Sequence, residues 1–130
     1  MSVCLGLDTS NYTTSAAVWD GDRGVMQQVK KLLPVKEGTM GLRQSDAVFH
    51  HVRQLPDMME KLLSDSDAHI AAVAASDRPQ QAEGSYMPCF LVGWGAARQL
   101  AAAEHMPLFR FTHQQGHVAA ALYGAGQTGL

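Results

Sequence analysis

Leu5-Gly6-Leu7-Asp8-Thr9-Ser10-Asn11-Tyr12-Thr13-Thr14-Ser15 decides how this chain folds. Apolar β-formers run from Val3 to Asp8 and again from Ser15 to Trp19. Between them stand Thr9-Ser10-Asn11-Tyr12-Thr13-Thr14, nearly all hydroxyl and amide side chains. Two such runs around a polar connection predict a β-hairpin. A strand that delivers Asp8 into this turn presents N–H and side-chain donors to an anion, while the carboxylate can hold a cation or a water. A nucleotide phosphate with its metal needs those contacts, so Asp8, Thr9, Ser10, Asn11 and Thr13 are the candidate phosphate-binding residues. The same hydroxyls can equally satisfy the turn's own backbone.

Outward from the hairpin, Asp20-Gly21-Asp22-Arg23-Gly24 is a turn cluster, and Val25 to Leu33 predicts a third antiparallel strand. Val48, Val52, Leu55, Met59 and Leu62 recur at spacings of four and three, which predicts a helix from about residue 44 to 63 with a kink at Pro56. Ile70 to Ala75 suits a buried parallel strand, and Asp77 to Pro88 a long loop. Phe90 to Glu104 predicts a second helix whose Gly93, Gly95, Ala96 and Ala97 give a slim surface for close packing. Pro107 to Phe111 reads as a strand, and Thr112 to Tyr123 as a third helix ended by Gly124. The order βββαβαβα implies an α/β fold with a mixed central sheet and helices on its faces.

A second candidate is Thr112-His113-Gln114-Gln115-Gly116-His117. Thr112 and Gln115 form a capping box that sets the helix to begin there. His113 and His117 then stand one turn apart, where both imidazoles can reach one metal. A catalytic metal typically takes three protein ligands, so a third must come from elsewhere. Two polar residues at a helix start are the plain alternative. In zinc proteases with two His at this spacing a Glu between them is the general base; here Gln114 occupies that place and cannot accept the proton. A third candidate is the segment Arg78 to Pro88, between a buried strand and a helix, where Arg78, Glu83, Ser85 and Tyr86 could contact a ligand. His50, His51, His69 and His105 read as surface or packing residues.

Composition narrows the classes. Of 130 residues 46% are hydrophobic and only 17% charged, with a net charge of −2. Charged residues usually make up about 25%, so one face is expected to be covered by another domain or subunit. A charge near zero argues against a strong nucleic-acid grip by this domain alone. No apolar run is long enough to span a bilayer, and the start has no signal-peptide pattern, so a cytoplasmic protein is expected. Cys4 and Cys89 lie in apolar stretches without CxxC spacing and read as buried, reduced thiols.

The stretches LGLDTSNYTTSAAVWD and MPLFRFTHQQGHVAAAL, with the element order between them, resemble the N-terminal lobe of the glycoprotease-like family. Its members include the catalytic subunit of bacterial tRNA threonylcarbamoyladenosine synthase and proteins labelled O-sialoglycoprotein endopeptidase. The resemblance implies a lobe of the actin, sugar-kinase and heat-shock-ATPase type. It also implies a zinc or iron ion on His113 and His117 plus an acid from a second lobe, and ATP or an adenylate as ligand. The group transferred would be threonylcarbamoyl, and the acceptor a tRNA adenosine reached only through the complete enzyme. The chain departs from the synthase at Asn11-Tyr12-Thr13, where an acidic residue is usual, and in the longer Arg78 to Pro88 segment. This points to a divergent paralogue, present as a single lobe over residues 1–130 and inactive alone. Two other readings stand beside it: a non-catalytic module pairing with a related lobe or with itself as a homodimer, and a metallopeptidase.

Overall fold

The computed structural model describes residues 2–10, 12–20, 24–34, 44–64, 69–78 and 88–112. Strands β1 (Ser2–Thr9), β2 (Thr13–Asp20) and β3 (Gly24–Leu32) form the meander, followed by helix α1 (Gln44–Leu63), strand β4 (His69–Arg78), helix α2 (Phe90–Glu104) and strand β5 (Leu108–Thr112). The sheet order is β3-β2-β1-β4-β5. β2 is antiparallel to β1 and β3, while β1, β4 and β5 run parallel. The α/β fold with a mixed central sheet expected from the sequence is thus the fold found. The third predicted helix lies outside the described residues.

β1 is central, and alternation along it separates two faces. Val3, Leu5 and Leu7 join Ala16, Val18, Leu55, Leu62, Val73, Ala75, Ala97 and Ala101 in one buried cluster, so α1 and α2 both cover this face. Each fully buried Leu or Val contributes on the order of 1.5 to 3 kcal/mol. Gly6 turns to the opposite face, where the Trp19 ring lies against it. A Cβ on Gly6 would stand 2.5 Å from a ring carbon, so no larger residue fits.

The buried line of α1 is rotated from the one the periodicity predicts. Leu55 and Leu62 are buried as expected, but Val52 is 54% exposed, and Ala47, His51, Gln54 and Met58 complete the buried face. Polar His51 and Gln54 are drawn inward because the sheet offers them partners. Pro56 lies on the exposed side within one continuous helix. β4 runs three residues past Ala75, the expected strand end, so Asp77 and Arg78 belong to the strand rather than to a loop.

α2 buries Phe90, Gly93, Ala97 and Ala101. The slim surface is real at Gly93, where a Cβ would come within 3.1 Å of the Thr9 hydroxyl, and not at Gly95, where it would meet nothing. The helix ends at His105 in the left-handed region, φ 53°, and Met106 N–H closes onto the Ala101 carbonyl at 3.1 Å. Cys89 is fully buried and Cys4 half-buried, both as free thiols. Among the described residues no helix is long and apolar enough to cross a membrane.

Candidate functional site

The parallel strands β1, β4 and β5 bring Asp8-Thr9, Ser76-Asp77-Arg78 and Thr112 out along one edge of the sheet. In open α/β sheets, ligands collect at the carboxyl ends of strands. The Ser76 hydroxyl donates to Asp8 Oδ1 at 2.6 Å, a short charge-assisted bond that fixes the carboxylate at this edge. The β4–β5 register shifts between Ser76 and Arg78, a bulge that re-aims the strand end. Asp77 Oδ2 lies 3.7 Å from Arg110 Nη1, and with Arg110 two-thirds exposed this pair adds little stability.

The turn after Asp8 is tied to both helices. Thr9 is fully buried, and its hydroxyl donates to the Cys89 carbonyl at 2.8 Å while accepting from Gly93 N–H at 3.0 Å. It thereby stands between the carbonyl and the N–H that would make the first i to i−4 bond of α2. Cys89 makes no side-chain cap, and the Thr9 hydroxyl adds a strand partner to the carbonyl and the N–H of the first turn of α2.

Across the hairpin, Thr14 pairs with Thr9 and is equally buried. Its Oγ1 lies 2.7 Å from His51 Nδ1 and accepts from Gln54 Nε2 at 3.0 Å. The other ring nitrogen, His51 Nε2, bonds the Ser10 carbonyl. A carbonyl only accepts, so Nε2 carries the hydrogen, Nδ1 is the acceptor, and the Thr14 hydroxyl donates to it. Burial pushes the His51 pKa down, against smaller upward contributions from the Ser10 bond and Asp8; His50 lowers it further. The Ser10 hydroxyl donates to the Thr13 carbonyl at 3.2 Å, and Leu33 N–H to the Tyr12 carbonyl at 2.8 Å.

The fold therefore brings Asp8, Thr9, Ser10 and Thr13 together at the edge, and places the backbone of Arg78 on the neighbouring strand. The Thr9 and Ser10 hydroxyls are engaged within the fold, and the half-buried Asp8 carboxylate is bonded to Ser76. Asn11, Glu83, Ser85, Tyr86, His113 and His117 lie outside the described residues. Among the described residues no three His, Cys, Asp or Glu side chains are grouped to hold a metal. His51, assigned above to surface or packing, is the residue sequence reasoning undervalued. The signal was present in the spacing of Ala47, His51, Leu55, Met58 and Leu62, a helical stripe that includes it.

No family model matches the chain. A tRNA N6-adenosine threonylcarbamoyltransferase of Methanopyrus kandleri is 29% identical over 98% of this chain, which covers 36% of that relative. A probable bifunctional tRNA threonylcarbamoyladenosine biosynthesis protein of Halobacterium salinarum is 29% identical over 88% of this chain and 20% of its own length. Among solved structures, YeaZ from Pseudomonas aeruginosa superposes with a TM-score of 0.55 at 20% identity, covering 86% of this chain and 44% of that one, a likeness of fold. The resemblance carried by the opening hairpin and the His113 to His117 segment is thus a similarity to the tRNA N6-adenosine threonylcarbamoyltransferases, of whose length the chain spans about a third.

Proposed function

We propose that this chain is the N-terminal, nucleotide-facing lobe of a metal-dependent protein that transfers a threonylcarbamoyl group to a tRNA adenosine, working with a second lobe or a related one. The observation that carries the reading is the convergence of the Asp8 carboxylate and the Ser10 to Thr13 turn on the sheet edge where β5 ends at Thr112, one residue before His113. The similarity to threonylcarbamoyltransferases supports the transferred group. Backbone donors of the turn would stabilise charge on a phosphate. His113 and His117 would hold the metal, and two imidazoles with a carboxylate suit zinc or iron(II), which orients and polarises the group to be transferred. Two imidazoles do not complete a catalytic metal site, and the third ligand would be an acid of the second lobe. The chain alone should therefore bind metal weakly and turn over no substrate.

Isothermal titration with zinc and with iron(II) tests this. Uptake that disappears in His113→Ala and His117→Ala supports the site, whereas equal uptake by all three proteins removes it. A second reading, a non-catalytic module that pairs with a related lobe, draws on Phe49 and Val52, each 54% exposed one turn apart on α1. Sedimentation that shows only monomer at high concentration would count against it.

A further inference from the structure

We propose that His51 is a positioning residue for the Ser10 to Thr13 turn. As the neutral Nε2–H tautomer it grips the Ser10 carbonyl and the Thr14 hydroxyl at once, and a second proton on the ring breaks that double grip. The part that makes this turn face a nucleotide rests on the reading above; the linkage of ring, tautomer and turn does not.

The geometry leaves the ring one set of roles. Its Nε2 meets a carbonyl, which demands a donor, and its Nδ1 meets a hydroxyl already receiving the Gln54 amide. The chain Gln54 to Thr14 to His51 to Ser10 therefore has a single direction, each group donating to the next. The residue spans from α1 to the far side of the hairpin, and it is closed to solvent. The ring thus holds the Ser10 carbonyl, where the turn leaves β1, and the Thr14 hydroxyl, where the chain has entered β2, at one point.

Protonation turns Nδ1 into a donor. The Thr14 hydroxyl then loses its acceptor at a site closed to bulk solvent, and a cation has to be held there. Among the described residues, the titratable groups that reach the ring are Asp8 of β1, which favours the cation, and His50 of α1, which opposes it. Burial outweighs both, so the neutral, gripping form extends below the pH at which an exposed histidine charges.

Nitrogen-15 spectra of the histidine rings in the full chain test the proposal. The expected result is a His51 ring with hydrogen on Nε2 that stays neutral to lower pH than an exposed histidine, with the amides of Tyr12, Thr13 and Thr14 shifting along the His51 titration curve. Hydrogen on Nδ1, or turn amides indifferent to that curve, would overturn it. In His51→Phe, exchange of the turn amides should rise about tenfold while Leu5, Val18 and Val73 stay protected. His51→Gln keeps one donor for the Ser10 carbonyl and should restore part of the protection without the pH step. Should the Phe variant not fold, a pH step that persists in His51→Gln overturns the assignment. Titration of wild type with MgATP is read separately: no binding counts against the nucleotide-facing reading and leaves the ring and turn linkage standing.

Discussion

Thr9 and Thr14 stand opposite one another across the β1–β2 hairpin, and each hydroxyl is bonded to a different helix. One cross-strand pair thus locks the sheet to α2 through Cys89 and Gly93, and to α1 through His51 and Gln54. The two locks lie just behind the turn that carries the candidate site, so turn geometry and fold stability share the same bonds.

Thr9→Val keeps the shape and removes the hydroxyl. It removes the bridge to the Cys89 carbonyl and the Gly93 N–H, which are left to their i to i−4 contact alone, and should lower stability by about 0.5 to 1.5 kcal/mol. Thr14→Val should cost a similar amount. Urea unfolding checks both, and Thr→Ser at either position should recover most of the loss.

Gly93 and Gly95 sit in the same helix and should respond oppositely to alanine. At Gly93 the new methyl meets the Thr9 side chain at 3.1 and 3.3 Å, so Gly93→Ala should destabilise by about 1 to 3 kcal/mol. At Gly95 it meets nothing, and Gly95→Ala should stabilise by about 0.5 to 1 kcal/mol. Thermal melts of the two variants would reveal the difference directly.

His105 adopts a left-handed conformation that glycine takes without penalty. His105→Gly should therefore raise stability by about 0.5 to 1 kcal/mol, after allowance for the greater freedom of glycine in the unfolded chain. Unchanged or lower stability would mean that the His105 side chain makes a compensating contribution.

The depressed pKa of His51 sets a sign for acid stability. The unfolded chain takes up the proton at higher pH than the folded one, so stability is fully present above the ordinary histidine range and is lost as pH falls through the folded pKa. Unfolding free energy measured from pH 8 down to pH 5 should decline, and His51→Gln should flatten the curve. A slope equal in both proteins would assign the loss to other groups.

Cys89 is closed to solvent, and burial pushes its thiol up to about 11; Cys4, half-buried, is also raised. Neither forms much thiolate near neutrality. Alkylation by iodoacetamide at pH 7.5 should be slow at Cys4 and slower still at Cys89, with both labelled rapidly in urea. Fast labelling of Cys89 in the native protein would contradict its burial.

Much of the architecture was legible in the chain. The apolar runs around the Thr9 to Thr14 segment, the slim helix at Gly93 and the buried Val73 strand each obey a local rule, and the structure follows them. The site was legible only in part. Asp8 at the end of β1 followed from the hairpin pattern, but Ser76 as its partner did not, because the two are 68 residues apart and meet only when β4 pairs beside β1. His51 was hidden for a related reason. Val52 fits an apolar stripe better than a histidine does, so hydrophobic spacing placed the helix face about one position away.

By itself the sequence determined the kinds of element, their order and the polar turn that the first strand feeds, since these depend on neighbours along the chain. Tertiary structure alone decided which hydroxyls face inward, which helix caps onto which strand and which histidine is committed to a single tautomer. Those outcomes turn on hydrogen-bond partners tens of residues away, and a buried donor or acceptor is satisfied by whatever the packed fold brings within reach.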